Sequence, residues 1–116
     1  MKEIKAIIRP FKLLDVTEAL QKIEGLPGVT VSEIKGFGKS RAKNAKDKIV
    51  YEMVELIPRI KLEVVVSDKM AAEIVNVIQK VSHTGNPGDG KIFVINVKDV
   101  IKIRTNVARK QYEYNQ

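Results

Sequence analysis

The segment TGNPGDGK, Thr84 to Lys91, has the residue types of an anion-binding loop. Its glycines let successive backbone N–H groups turn toward one point, and Lys91 adds a full positive charge beside them. Phosphate suits such a loop; a tight helix-to-strand connection is the alternative, because Gly and Pro mark turns of every kind. Gly85, Gly90 and Lys91 meet the GxxxxGK spacing of a P-loop, but Ile92 replaces the Ser or Thr that must follow, and a strand pattern replaces the helix. That match is spurious. A second segment, KGFGKSRAK from Lys35 to Lys43, opens like the RNA-recognition signature and then breaks it with Lys39, Ser40 and Arg41. In an RNA-recognition domain the shorter signature precedes the longer one. Here its only candidate, IFVINV at Ile92 to Val97, follows KGFG, and the first strand, IKAIIR, has no aromatic residue. With 5% aromatic residues, a base-stacking platform is not expected.

A chain of 116 residues is the size of one domain, and such a domain buries roughly two-thirds of its unfolded surface without staples. The formal charge of +7 favours anionic partners, whether nucleotide, nucleic acid, anionic lipid or an acidic protein face. A basic nucleic-acid-binding domain is therefore the second reading, with salt-dependent binding as its signature. The absence of cysteine excludes thiol catalysis, disulfides and thiolate metal sites, and makes a reducing cytosol the expected compartment. The start, MKEIKAIIRPF, interrupts its apolar residues with charge, and no run approaches the ~20 apolar residues of a membrane span. Neither export nor membrane insertion is expected. No nucleophile and base pair, metal cluster or paired catalytic carboxylates can be identified, which argues against an enzyme. The single histidine, His83, stands beside a turn, where a structural role is expected.

The elements that must position these residues follow from periodicity. Ile4, Ala6 and Ile8 alternate with Lys5, Ile7 and Arg9 in a strand closed by Pro10. Leu13, Val16, Leu20 and Ile23 form a helical stripe stopped by Gly25 and Pro27. Val29 to Lys35 reads as a strand whose alternation slips near Glu33, where a bulge is expected. Ile60, Leu62, Val64 and Val66 mark the clearest strand, with Ser67 or Asp68 as N-cap of a helix carrying Met70, Ile74, Val77, Ile78 and Val81. Ile92 to Val97 and Val100 to Arg104 read as two short final strands. The order is two βαβ-type halves, the ferredoxin-like α+β arrangement: an antiparallel sheet with both helices on one face. The other face, with apolar and small residues, suggests a subunit interface.

Five segments in order, RPFKL, TVSEIKGFG, LEVVV, TGNPGDGKIFV and IKIRT, resemble the nitrogen regulatory PII signal-transduction family over about residues 1 to 105, leaving 106 to 116 as a C-terminal tail. The resemblance implies a cytoplasmic homotrimer that binds ATP or ADP, with AMP a further option, in clefts between neighbours. It also implies a target, a membrane transporter or an enzyme, contacted through a T-loop at about 37 to 58; direct nucleic-acid contact is not expected. Residues Lys39 to Lys48 carry five basic side chains against Asp47, a net +4, which suits an acidic target surface or pore mouth. The glycine segment corresponds to the B-loop, about 83 to 91.

By the same resemblance, Gly88, Asp89, Gly90 and Lys91 embrace the phosphates, with Gly36, Gly38 and Lys39 closing the other side. Ile7, Thr30, Glu63 and Val65 line the adenine and ribose pocket, and Lys102 and Arg104 reach the phosphates across the interface. Lys102 stands where the family usually has arginine, so a bidentate contact becomes a point charge. Ser40 replaces a glutamine that helps bind Mg2+ and 2-oxoglutarate beside ATP, which puts the usual 2-oxoglutarate geometry in doubt. Arg9, Lys39 and Arg59 keep positions able to hold a dicarboxylate. Glu52 falls where enteric members carry the uridylylated tyrosine, and Tyr51, one residue off, faces the other way in an extended segment, so uridylylation is not expected. The segments GLPGVTVSEIKGFG and HTGNPGDGKIF are closer in texture to a divergent branch linked to metal-efflux transporters, with the nitrogenase-regulating branch as the alternative.

Overall fold

In the computed structural model, which describes residues 1–38 and 55–110, strand β1 (Lys2–Ile8) buries Ile4, Ala6 and Ile8 on one face and leaves Lys5 and Ile7 half-buried on the other. Arg9 leads into a 3₁₀ turn, Pro10–Lys12, whose proline occupies a position that needs no donor. Helix α1 (Leu13–Gln21) buries Val16 and Leu20. Its apolar stripe reaches Ile23, but the helix stops earlier because the N–H groups of Lys22 and Ile23 donate to the carbonyls of Ala19 and Leu20, three residues back. Ile23 still joins the core from the turn.

Strands β2 (Thr30–Gly36) and β3 (Ile57–Val66) pair antiparallel without a break from Thr30–Glu63 to Gly36–Ile57. The bulge expected at Glu33 is absent, since Glu33 opposes Ile60 in the same register as its neighbours. The alternation slips there for a different reason: β2 is an edge strand with no buried residue, so burial does not select its side chains. In β3 the alternation is strict, with Ile60, Leu62, Val64 and Val66 all buried. Pro58 lies past the last β1 partner, Ile60, where β3 needs no donor toward β1.

Ser67 caps helix α2 (Asp68–Ser82) by accepting from the Met70 N–H at 3.2 Å. The helix buries Ala71, Ile74 and Ile78 against β1 and β3. Strand β4 (Lys91–Asn96) completes a sheet of order β2-β3-β1-β4 in which every neighbouring pair is antiparallel. With both helices packed on one face, the fold is ferredoxin-like, as the sequence order implies. The open face carries Lys5 and Ile7 from β1, Lys61, Glu63 and Val65 from β3, and Lys91, Phe93 and Ile95 from β4.

The final strand is shorter than its sequence pattern suggests. β5 (Asp99–Lys102) ends before Arg104, which lies in a turn leading to β6 (Val107–Lys110), and the two strands form a separate hairpin. Asn106 closes the turn at φ +54, a conformation asparagine tolerates, and its N–H donates to the Lys102 carbonyl at 2.7 Å. The hairpin therefore extends into the segment after residue 105; residues 111–116 lie outside the described residues.

Ile74 has no exposed surface and belongs to the core that α2 shares with the sheet. Ile74→Ala is expected to lower unfolding free energy by about 2–5 kcal/mol. Urea denaturation at fixed protein concentration checks this.

Candidate functional site

The loop from His83 to Gly90 joins α2 to β4 and is folded around a carboxylate. Asp89 Oδ2 accepts the N–H groups of Thr84 at 2.8 Å and Gly85 at 2.9 Å, while Oδ1 accepts the Thr84 hydroxyl and Arg9 Nε, the latter at 3.2 Å. Asn86 in turn donates its N–H to the Thr84 hydroxyl oxygen at 3.2 Å. These bonds hold the Asp89 carboxyl well below the usual carboxylate range: the Thr84 hydroxyl contributes most, then the Thr84 N–H, against an opposing desolvation, with Gly85 and Arg9 adding smaller effects.

The far end of the loop rests on β1. Gly90 has φ +104, and a Cβ on it would stand 1.7 Å from the Ile7 carbonyl oxygen, so no other residue fits there without displacing backbone. Gly88, at φ +94, faces two cations: a Cβ there would lie 3.1 Å from both Arg9 Nη2 and Arg59 Nη2. Arg9 Nη2 also donates to the Pro87 carbonyl, and Arg59 Nη1 donates to the Pro58 carbonyl at 2.9 Å. Lys91 follows Gly90 directly and opposes Ile7 across the β1–β4 ladder. Three cationic side chains thus belong to one end of the sheet, around a glycine loop whose own anion is internally satisfied. Beneath the loop, a cavity of about 460 Å³ is lined by Ile7, Ile8, Val75, Gln79, His83, Asp89, Gly90, Lys91 and Ile92. Among the described residues, no group of three or more His, Cys, Asp or Glu is placed to hold a metal ion.

The expected site residues within the described chain fall into four sets. Ile7, Arg9, Arg59, Gly88, Asp89, Gly90 and Lys91 meet at the loop end of the sheet. Thr30, Glu63 and Val65 lie further along the open face: Thr30 opposes Glu63, which also opposes Lys5 and sits 3.6 Å from Lys61, and Val65 opposes Glu3. Gly36 ends β2 opposite Ile57, and Gly38 is exposed just beyond it. Lys102 and Arg104 stand apart, on a hairpin that leaves β4 from its Asn96 end, whereas the loop enters at Lys91. Lys39, Ser40, Tyr51 and Glu52, with most of the expected T-loop, lie outside the described residues.

Sequence reasoning assigned Thr84 no role, although its hydroxyl and N–H both hold Asp89. Its signal was local: a Thr opening a Gly-rich turn five residues before an Asp can bond backbone and side chain within the turn. The Arg9 tie to Asp89 spans 80 positions and has no local signal.

The model of the family Nitrogen regulatory protein P-II matches residues 1–107. The chain belongs to the nitrogen regulatory protein P-II family. It is 48% identical over 105 residues to Nitrogen regulatory protein P-II of Rhizobium meliloti (strain 1021), a match covering 90% of this chain and 93% of that protein. The corresponding proteins of Azospirillum brasilense and Escherichia coli (strain K12), the latter named P-II 1, are 45% and 47% identical over the same shares. The P-II match thus takes in the whole four-stranded sheet, the glycine loop and the hairpin as far as the first residue of β6.

Because Gly90 cannot carry a Cβ, Gly90→Ala is expected to destabilise this P-II domain by more than about 2 kcal/mol. Gly28→Ala, with nothing within 4 Å of its Cβ position, serves as the tolerated control in thermal unfolding. The Asp89 shift has a defined sign. Its folded pKa is depressed from 3.8, so the stability it lends the loop is present above that value and is lost only as pH falls further, through the folded pKa. Protection of the Thr84 and Gly85 amides from hydrogen exchange, corrected for intrinsic rate, is expected to persist from neutral pH down to about pH 4.

Proposed function

We propose that this protein is a trimeric sensor that binds ATP or ADP in clefts between subunits and signals the bound nucleotide to a target protein through the connection between β2 and β3. One observation carries the reading: a glycine loop, seated on β1 by Gly90, is preformed beside Arg9, Arg59 and Lys91. Convergent cations beside a glycine loop match the charge and the donor geometry of a polyphosphate. Two further features support clefts completed by another copy. The open sheet face carries Phe93 and Ile95, 45% and 41% exposed. Lys102 and Arg104 ride on a hairpin that leaves the sheet at the end away from the loop, so a neighbour's hairpin is the natural source of those charges.

In this reading Ile7, Glu63, Val65 and Thr30 contribute to the base and ribose pocket, and Lys91 meets phosphate oxygens. The target is a transporter or an enzyme in the cytoplasm, and the protein itself has no catalytic role. Arg9 and Arg59 are the groups that would meet a dicarboxylate such as 2-oxoglutarate, with Mg2+ supplied alongside ATP. Among the described residues, Phe93 is the only aromatic within a strand of the open face, which weakens the nucleic-acid reading.

Calorimetry with ATP, ADP and AMP, each with and without Mg2+ and 2-oxoglutarate, is expected to give one adenine-nucleotide site per subunit; no heat with any of the three at high protein concentration overturns the reading. Lys91→Ala removes a charge-assisted contact of about 1.5–3 kcal/mol and is expected to weaken binding by roughly 10- to 150-fold. Light scattering should show the same assembly as the unsubstituted chain. Unchanged affinity would take Lys91 out of the site.

A further inference from the structure

We propose that Asp89 is a positioning residue of the glycine loop: its carboxylate, tethered by Arg9, is an internal anion that orders residues 84–90 before any nucleotide arrives. The proposal rests on the nucleotide reading above and narrows it, because an acid in a phosphate loop has two possible roles. It can face the ligand, holding a metal ion or a sugar hydroxyl, or it can face the loop.

The hydrogen bonds decide between them. Each carboxylate oxygen of Asp89 already accepts two: Oδ2 from the N–H groups of Thr84 and Gly85, and Oδ1 from the Thr84 hydroxyl and Arg9 Nε. A carboxylate has about four acceptor positions, so little capacity is left for a ligand. Left unpaired, its charge would repel phosphate. Arg9 at 3.2 Å neutralises it, and the same guanidinium reaches the Pro87 carbonyl, so one side chain grips the loop at two points. Arg9 follows β1 directly, and Ile7 of β1 receives Gly90. The 87–90 end of the loop is therefore fixed to β1 and its following residue, and Asp89 carries that anchorage to Thr84 and Gly85 at the other end. Ordering it in advance removes an entropic cost from binding without adding any contact to the ligand.

A residue that acts only through the loop affects all adenine nucleotides alike, whereas one that touches the phosphate end discriminates by phosphate number. The test uses the full chain, with Asp89→Asn, which keeps a weaker acceptor but drops the charge, Asp89→Ala, which drops both, and Arg9→Gln. Hydrogen exchange in the nucleotide-free protein is expected to speed up over residues 84–90 by about tenfold or more in Asp89→Ala and less in Asp89→Asn and Arg9→Gln. Lys91→Ala should leave that exchange unchanged while it weakens binding. Titrations of Asp89→Ala should show ATP and ADP weakened by the same factor. Unchanged exchange in Asp89→Ala overturns the proposal, as does a loss confined to ATP, which would mean direct contact with the phosphate end. If the unsubstituted chain binds no nucleotide, the nucleotide reading fails by itself, and exchange in the free protein still decides whether Asp89 orders the loop.

Discussion

The candidate site depends on the approach of Gly90 to the Ile7 carbonyl. A backbone passing so close that a Cβ would overlap the oxygen fixes where the loop ends and where β4 begins. It also ties the loop to β1, the strand that pairs on both sides, with β3 and with β4. The core faces of β1 and β3 are buried against two helices, and a well-packed interior transmits displacement instead of absorbing it. The candidate site is thus positioned by the packed core of the sheet, and Arg9 inherits that position two residues later.

Charge is arranged around the loop in opposed layers. The chain carries a formal +7, yet the groups that converge near Gly88 are held in specific places instead of being spread over a surface. Asp89 turns inward and is satisfied by N–H and O–H donors; Arg9 faces both that acid and the loop carbonyl; Arg59 approaches from β3. The pair of Lys61 and Glu63, each about a third exposed, is a different matter. Such exposed pairs contribute little to stability, so its interest lies in where it places a carboxylate on the open face.

What could be read from the chain divides along the same physical lines. β1, β3 and α2 were legible because burial on one face imposes a strict period, as Ile60, Leu62, Val64 and Val66 illustrate. Ser67 was legible because capping is local. β2 was misread at Glu33 because an edge strand without buried residues has no face for burial to enforce, and β5 was drawn too long because the apolar Ile101 and Ile103 continue the pattern into a turn. Within the loop, the glycines announced a special backbone, but which side chain anchors it depends on Arg9, distant in sequence and brought near only by the β1–β4 pairing. Lys39 and Ser40, on which the reading of 2-oxoglutarate most depends, lie outside the described residues.

The β5–β6 hairpin bears on the same site from outside. Two-stranded hairpins are marginal alone in water, and this one packs chiefly on itself among the described elements, with Ile103 98% exposed at its turn. A segment that keeps apolar side chains at its tip, departs from the sheet end opposite the loop, and carries Lys102 and Arg104 is poorly explained as part of an isolated subunit. In the assembly we propose, the same features have one cause: the hairpin gains its stability by burying its tip on a neighbour and brings its cations there in doing so. Binding and association then share a structural element, so a nucleotide that draws on those cations would strengthen the contact between subunits by linkage.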